Sequence, residues 1–563
     1  MPIRVEAPAA SMIAPTSVAP EILFLFTGQL QIDALLCSFP ILIAHSVSPK
    51  REQKTLRLRL RAAAHPPIIL SVQMLQKPAP YSLRLIAQIG LFSATASVQG
   101  GLLPELPQAT SPVALSAASD PNTGKSGFRY QGKNTPPVIR VQPGSTLNVE
   151  YKNDLAAQSK EDCFGHPCMQ MTNLHFHGLH VSPNAPQDDV LDMMASPGET
   201  LHYAVQVAPQ QPPGLYWYHT HSHGESYIQD LDGMSGAIVV EGIERYAPEV
   251  QNMRERILVL RDLVLANDGA ERKKVMDSVA MQTTRCGTAP EKPEAAFTVN
   301  GTLRPKIDIA PGERQFWRIV NASPDLYADL EVDGVSLDVV AVDGMPLAYH
   351  DPSIRNRSMS HVLLPPAGRV EAIVTGPPAN SHAALRSRCF DTGPDGDSNP
   401  AMVLADLVSA PSSNPRTLAA LGGAPVYATF SPTVLKRVET SEPQFVVTFT
   451  EDKQGFYING QKFEMNSGPM LTVDVGSLQH WRVTNSTKEV HPFHIHQVHF
   501  LAYRVGDKPV KDPVWLDTVN VSYGSSVDLV MDFTDPIIRG MSLFHCHLLK
   551  HEDKGMMAKI LFR

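Results

Sequence analysis

The sequence predicts an all-β chain of three tandem β-sandwiches, and two observations carry that prediction. The first is an internal repeat. Pro137, Pro305 and Pro469 each open a segment with Gly at the seventh following position (Gly144, Gly312, Gly476) and Asn at the sixteenth (Asn153, Asn321, Asn485). The copies start 168 and then 164 residues apart, which is the size of a domain. The second is alternation of apolar with polar residues between those marks, as in Leu147-Asn148-Val149-Glu150-Tyr151 and Trp317-Arg318-Ile319-Val320. Period two is the pattern of half-buried strands. Within each copy the Gly is expected to turn the chain between two strands, and the Asn to shape a turn at the end of the second. The expected domains are 121–245, 246–425 and 426–563.

Composition agrees with this. A chain of 563 residues, 43% of them hydrophobic, can bury several cores, and 48 prolines suit a loop-rich β protein. The formal charge is −8, but residues 1–100 hold nine Lys/Arg against four Asp/Glu, leaving −13 on the remainder. That argues against a nucleic-acid footprint and is compatible with cationic or neutral small substrates.

The chemistry is concentrated near residue 550. In His545-Cys546-His547-Leu548-Leu549-Lys550-His551, followed by Met556, one thiolate sits among imidazoles and a thioether. A Cys, two His and a weak axial Met form the trigonal ligand set that tunes copper for electron transfer. The His residues flanking Cys546 are left free for a second centre. Three more segments supply partners for it: His175-Phe176-His177-Gly178, His219-Thr220-His221 and His491-Pro492-Phe493-His494-Ile495-His496. On a strand, residues i and i+2 share a face, so both imidazoles of a pair reach one cluster. One such pair reads equally well as solvated or core histidines; four pairs in one chain do not.

On these motifs the chain resembles the multicopper oxidases, most closely the bacterial three-domain laccase and copper-efflux-oxidase type, over roughly residues 125–563. The resemblance implies cupredoxin-like Greek-key sandwiches with the copper motifs in loops at one end. It also implies four coppers: a type 1 copper on His491, Cys546, His551 and Met556; a type 2 copper on His175 and His494; and a type 3 pair on His177, His219, His221, His496, His545 and His547. The implied activity is one-electron oxidation of four donor equivalents coupled to reduction of O2 to water. That reduction consumes four protons, so acids are needed near the cluster. Asp188 and Glu552 are the candidates, with Asp189 a close competitor for Asp188.

The repeat indicates which domains hold metal. The third copy runs from Asn485 into His491, and the first reaches His175 after Asn153, but the second continues Asn321-Ala322-Ser323-Pro324 without a histidine. The middle domain is therefore expected to be a metal-free spacer. Thr220 stands in the first domain where Cys546 stands in the third, as if a type 1 site had been lost there. The cluster is then expected between domains 1 and 3, with four His from each.

For the donor, a dense Met run before His491, expected of a cuprous-ion oxidase, is missing. The reading is therefore a laccase-like oxidase of phenols and aromatic amines. The alternatives are cuprous ion oxidation and, in a different class, a copper-free cupredoxin structural protein.

Near the N-terminus, Lys77 and Arg84 precede a short apolar stretch and Ala94-Thr95-Ala96, the layout of a secretory signal peptide over 74–96. Residues 1–73 then come from an upstream start, or alternatively form a long extension. The apolar stretch at 22–43 contains Gln29, Gln31 and Asp33 and makes a poor membrane span. A periplasmic or secreted location follows. In such an oxidising compartment Cys163 with Cys168, and Cys286 with Cys389, read as disulfides, with reduced buried thiols as the alternative.

Overall fold

The computed structural model describes residues 101–563 except 121–124, 158–162, 165–167, 283–285, 287–291, 380, 410–416, 419–422 and 428–429, together with the backbone of five strands before residue 74. Those five form two small sheets: Ala9–Ile13 with Leu23–Thr27, and Ile41–Leu42 with Thr55–Ala62 and His65–Gln73. They belong to a separate compact unit, Met1–Thr95. The signal-peptide reading of 74–96 lies outside the described residues.

Residues 96–563 contain three sandwiches, each of two sheets. The first pairs a four-stranded with a five-stranded sheet; the second and third each pair a seven-stranded with a five-stranded sheet. Strands Gln108–Thr110 and Val113–Ala118 belong to the first sandwich, so it takes in chain ahead of residue 121.

The five-stranded sheets share a four-stranded arrangement, with the fifth strand on the opposite edge in the first sandwich. The strand that opens each repeat (Val138–Val141, Lys306–Asp308, Leu471–Val473) runs parallel to the last strand of its sandwich (Ser235–Val240, Met402–Val408, Met557–Phe562). That last strand pairs antiparallel with Gly214–His219, Ala383–Arg388 or Gly540–Cys546. The next neighbour is His175–His177, Ala328–Val332 or His491–Ile495. The histidine motifs thus occupy equivalent adjacent strands in the first and third sandwiches. The same two strands of the middle sandwich, Ala328–Val332 and Ala383–Arg388, contain no histidine.

The repeat residues have the roles expected of them, and the asparagine does more. Gly144, Gly312 and Gly476 all take positive φ, +80°, +74° and +105°, at the turn between two strands. Asn153, Asn321 and Asn485 are buried, and each makes the same three bonds. The side-chain oxygen accepts from the backbone N–H two residues on, at Leu155, Ser323 or Thr487. The amide donates to two carbonyls: Gln170 and Ala195, Leu326 and Leu364, or Glu489 and Val521. One side chain thereby ties a turn to two separate segments in each sandwich.

Two disulfides are present, Cys163–Cys168 and Cys286–Cys389. Among the described residues Cys546 is the free cysteine, and it is buried. No helix among them is long and apolar enough to cross a membrane.

The first and second sandwiches meet through a chain of buried charges. Arg140 bonds Glu241 and Glu255; Glu255 bonds Arg318; Arg318 bonds Glu371. Glu371 also accepts from the N–H of Leu215, on the strand that ends at His219. Such a chain fixes register, because displacing one member leaves a buried charge uncompensated.

Replacing Asn321 by Ala would leave the carbonyls of Leu326 and Leu364 buried without their donor. We expect a loss of about 3 kcal/mol of stability, measured by denaturant unfolding; a change below about 0.5 kcal/mol would show that the repeated amide is not a structural clamp.

Candidate metal centre

Strand register assembles the first group of ligands. His175 lies opposite His219, and His494 opposite His545, on paired antiparallel strands. The second histidine of each motif follows at i+2, so the rings of His175, His177, His219, His221, His494, His496, His545 and His547 converge where the first and third sandwiches meet. His175 stacks on His496, and His177 on His494, each with ring centroids 3.8 Å apart, and each pair joins the two sandwiches. His545 Nε2 lies 3.2 Å from His496 Nε2 and 3.5 Å from His221 Nε2. All eight rings are buried.

Most of these rings are anchored through one nitrogen. His175 Nδ1 lies 3.0 Å from Asp188 Oδ2, His177 Nε2 3.1 Å from Asp517 Oδ1, and His494 Nδ1 2.8 Å from the Asp517 carbonyl. His219 Nδ1 and His545 Nδ1 reach the carbonyls of Thr220 and Cys546 at 2.8 and 3.0 Å. The opposite nitrogens of His175, His177, His219 and His494 have no hydrogen-bond partner. Burial first, then the neighbouring imidazoles, holds His177, His219, His221, His494, His496 and His547 well below the ordinary histidine range, so these rings are neutral.

Neutral imidazoles with bare lone pairs turned toward one another, sealed from water, are costly unless something accepts those lone pairs. A group of metal ions does so, and an anchored second nitrogen is how proteins orient a metal-binding histidine. The residues present therefore fit copper. Triplets from this set bring ligand atoms within 4.8 Å of one another: His175, His177 and His219; His175, His494 and His496; His221, His496 and His545.

The second group lies in the third sandwich. His491 Nδ1 is 3.4 Å from Cys546 Sγ and 3.3 Å from His551 Nδ1. Met556 is fully buried beside them; its carbonyl accepts from Cys546 N–H and its N–H donates to the His551 carbonyl. Burial pushes the Cys546 thiol up and lowers His491 to about 3. A thiolate at this position needs a cation to pair with, which a bound metal supplies while displacing the proton.

The equivalent place in the first sandwich is filled by hydroxyls. Thr220 and Thr172 stand where the third sandwich has Cys546 and His491, and their hydroxyls lie 3.2 Å apart. Tyr151 and Gln229 extend this hydrogen-bonded row on either side, at 2.7 and 2.6 Å.

The acids sort by geometry. Asp188 meets His175, accepts from Phe176 N–H, and accepts from the Gln497 side chain of the third sandwich at 2.6 Å. Asp189 instead turns into its own loop, accepting from Leu191 and Asp192 N–H. Glu552 is buried, with Oε2 3.0 Å from His545 Nδ1 and Oε1 3.7 Å from His221 Nδ1.

Three contacts were not foreseen from sequence. Asp517 bonds both His177 and His494; its one signal was a lone carboxylate in the apolar run Trp515-Leu516-Asp517-Thr518-Val519. Thr487 Oγ1 lies 2.9 Å from His491 Nε2. Glu489 Oε1 lies 3.2 Å from His551 Nε2, and burial, reinforced by Glu451 and Asp397, raises that carboxyl to about 9.

With this geometry in view, comparison with known proteins identifies the family. Three family models, each described as multicopper oxidase, match residues 115–245, 261–392 and 432–563. The chain belongs to the multicopper oxidases, whose cofactor is copper and whose reactions pair small-molecule substrates with O2. It is 23% identical over 447 residues to multicopper oxidase mco of Staphylococcus haemolyticus, covering 78% of this chain and 84% of that one. It is 25% identical over 485 residues to a laccase of Haloferax volcanii, covering 78% and 77%. Among solved structures, a Campylobacter jejuni multicopper oxidase described as a metallo-oxidase superposes with a TM-score of 0.62 at 23% identity, over 83% of this chain and 96% of that one.

If Asp188 orients His175, Asp188→Ala should weaken copper retention by about tenfold or more, while Asp189→Ala should stay near the parent protein. Copper content after dialysis against a graded chelator checks this; equal losses in the two variants would remove Asp188 from the site.

Proposed function

We propose that the chain is a laccase-like oxidase that removes single electrons from phenols and aromatic amines beside His551 and delivers them, four at a time, to O2 at the eight-histidine cluster. The observation that carries this is Cys546: its thiol shares one buried group with His491, while its sequence neighbours His545 and His547 belong to the other. A short covalent path through one strand end therefore links the two groups. When bound, copper supplies one-electron oxidation of the donor at the Cys546 site and four-electron reduction of O2 to two waters at the cluster.

The ligand assignment is the one the family resemblance implies. His491, Cys546, His551 and Met556 would hold the type 1 copper; His175 and His494 the type 2 copper; His177, His219, His221, His496, His545 and His547 the type 3 pair, four coppers in all. Reduction of O2 to water takes up four protons. Glu552 is positioned to hold a proton at Oε1 or Oε2 beside His221 and His545, and Asp188 to hold His175 in the tautomer that presents Nε2 to the cluster. Sealing the rings from water keeps partly reduced oxygen away from the organic donor.

At the donor side Glu489 lies against His551 Nε2, where a phenol or aromatic amine losing an electron also releases a proton. Raised to about 9, the Glu489 carboxyl keeps its proton at neutral pH, and its carbonyl oxygen accepts that O–H or N–H. A second reading, oxidation of cuprous ion, is favoured by Glu451 and Asp397 gathered near Glu489, since their combined charge attracts cations.

Two experiments test the proposal. Copper-loaded protein should contain about four coppers per chain and show a blue thiolate-to-copper band; Cys546→Ser should lose both that band and oxygen uptake. A variant that kept its colour would end the proposal.

Turnover of a dimethoxyphenol should not depend on added Cu(II), and Glu489→Ala should raise its KM by roughly fivefold, the worth of a hydrogen bond between neutral groups. Activity that requires added copper would instead favour metal oxidation.

A further inference from the structure

Resting on the copper reading above, we infer that the metal-free middle sandwich is a working part of the cluster: its Arg369 is a positioning residue that sets two cluster imidazoles through Asp517.

Asp517 anchors a ring from each metal-holding sandwich. Its side-chain Oδ1 accepts from His177 Nε2 of the first at 3.1 Å, and its backbone carbonyl accepts from His494 Nδ1 of the third at 2.8 Å. Each bond fixes a tautomer and turns the opposite nitrogen, His177 Nδ1 or His494 Nε2, toward the cluster, where it has no other partner. Thr518 Oγ1 donates to the same carboxylate at 2.9 Å and lies 3.3 Å from His494 Nδ1.

What holds Asp517 comes from the middle sandwich. Arg369 Nη1 and Nη2 donate to Oδ1 and Oδ2 at 2.7 and 2.6 Å, a two-pronged pair with both partners buried. The planar guanidinium fits the carboxylate in a single orientation, so it fixes the direction of Oδ1 as well as its charge. Arg369 is itself fixed from two sides. Its N–H donates to Asp343 Oδ1, and its side chain reaches the carbonyl of Leu215 in the first sandwich at 3.3 Å. It shares the strand Arg369–Thr375 with Glu371, the end of the buried charge chain described above.

The first sandwich is shaped to admit this pair. Gly178, directly after His177, has φ +83°, and a Cβ there would lie 2.5 Å from Asp517 Oδ2 and 2.6 Å from Arg369 Nη2. The Gly of His175-Phe176-His177-Gly178 therefore makes room for a bond between the other two sandwiches.

The test compares Arg369→Met, Arg369→Lys and Asp517→Asn with the parent, all copper-loaded, by blue absorbance, by the paramagnetic non-blue type 2 signal, and by copper retained against a chelator. Arg369→Met should keep the blue band and lose cluster copper about tenfold more readily, the usual effect of removing a group behind a metal ligand. Asp517→Asn should do the same, Arg369→Lys should recover part of the loss, and Arg369→Met with Asp517→Asn should be no worse than the poorer single variant. Cluster retention within about twofold of the parent in Arg369→Met, or additive losses in the double variant, would overturn the inference. Should Arg369→Met not fold, Asp517→Asn and Arg369→Lys decide in the same terms. A parent that takes up no blue copper defeats the copper reading itself, a result separate from any of these.

Discussion

Everything in this structure is subordinate to one constraint: eight buried imidazoles, six of them held neutral by burial, must be packed ring against ring, away from water. Water would satisfy those nitrogens, and a charged ring would repel its neighbours, so both have to be excluded. The fold meets the constraint by giving five of the rings a fixed acceptor on the outer side. Two such acceptors are side chains, of Asp188 and Asp517, and three are backbone carbonyls. Orientation comes from strand register together with these outer acceptors.

The two buried groups meet at the end of one strand of the third sandwich, Gly540–Cys546. In the first sandwich, the positions of Cys546 and His491 are taken by Thr220 and Thr172. A hydrogen-bonded row occupies those positions between the flanking histidines. Sandwich architecture tolerates this because the row is bonded along its whole length, from Tyr151 to Gln229, and so leaves no buried polar group wanting.

Much of this was legible in the sequence, and the unread part has a physical reason. Ligands are set by local pattern, such as His-x-His on a strand or His-Cys-His at a strand end, so the residues that converge could be named. The repeat of Pro, Gly and Asn gave the number of sandwiches because each copy closes the same turn with the same amide. Asp188 and Asp189 could not be told apart, since adjacent loop residues differ only in where the backbone aims them. Asp517, Glu489 and Arg369 act across contacts that join distant segments, and no local pattern encodes such a contact. Arg369 was hidden further by its setting: a domain whose motif-equivalent strands carry no histidine reads as a spacer, although its buried guanidinium bonds the carboxylate that anchors His177.

The parallel pairing of the repeat-opening strand with the last strand of each five-stranded sheet has a consequence for biosynthesis. Leu471–Val473 cannot be completed as part of its sheet until Met557–Phe562 has been made, and Cys546 waits on the same strand. His175 leaves the ribosome several hundred residues earlier, with none of its third-sandwich partners yet translated. Contacts of such long sequence separation form late, so a nascent chain exposes thiol and imidazoles before it has any cage to hold an ion. Neither group of histidines is complete until translation has passed Gly540–Cys546.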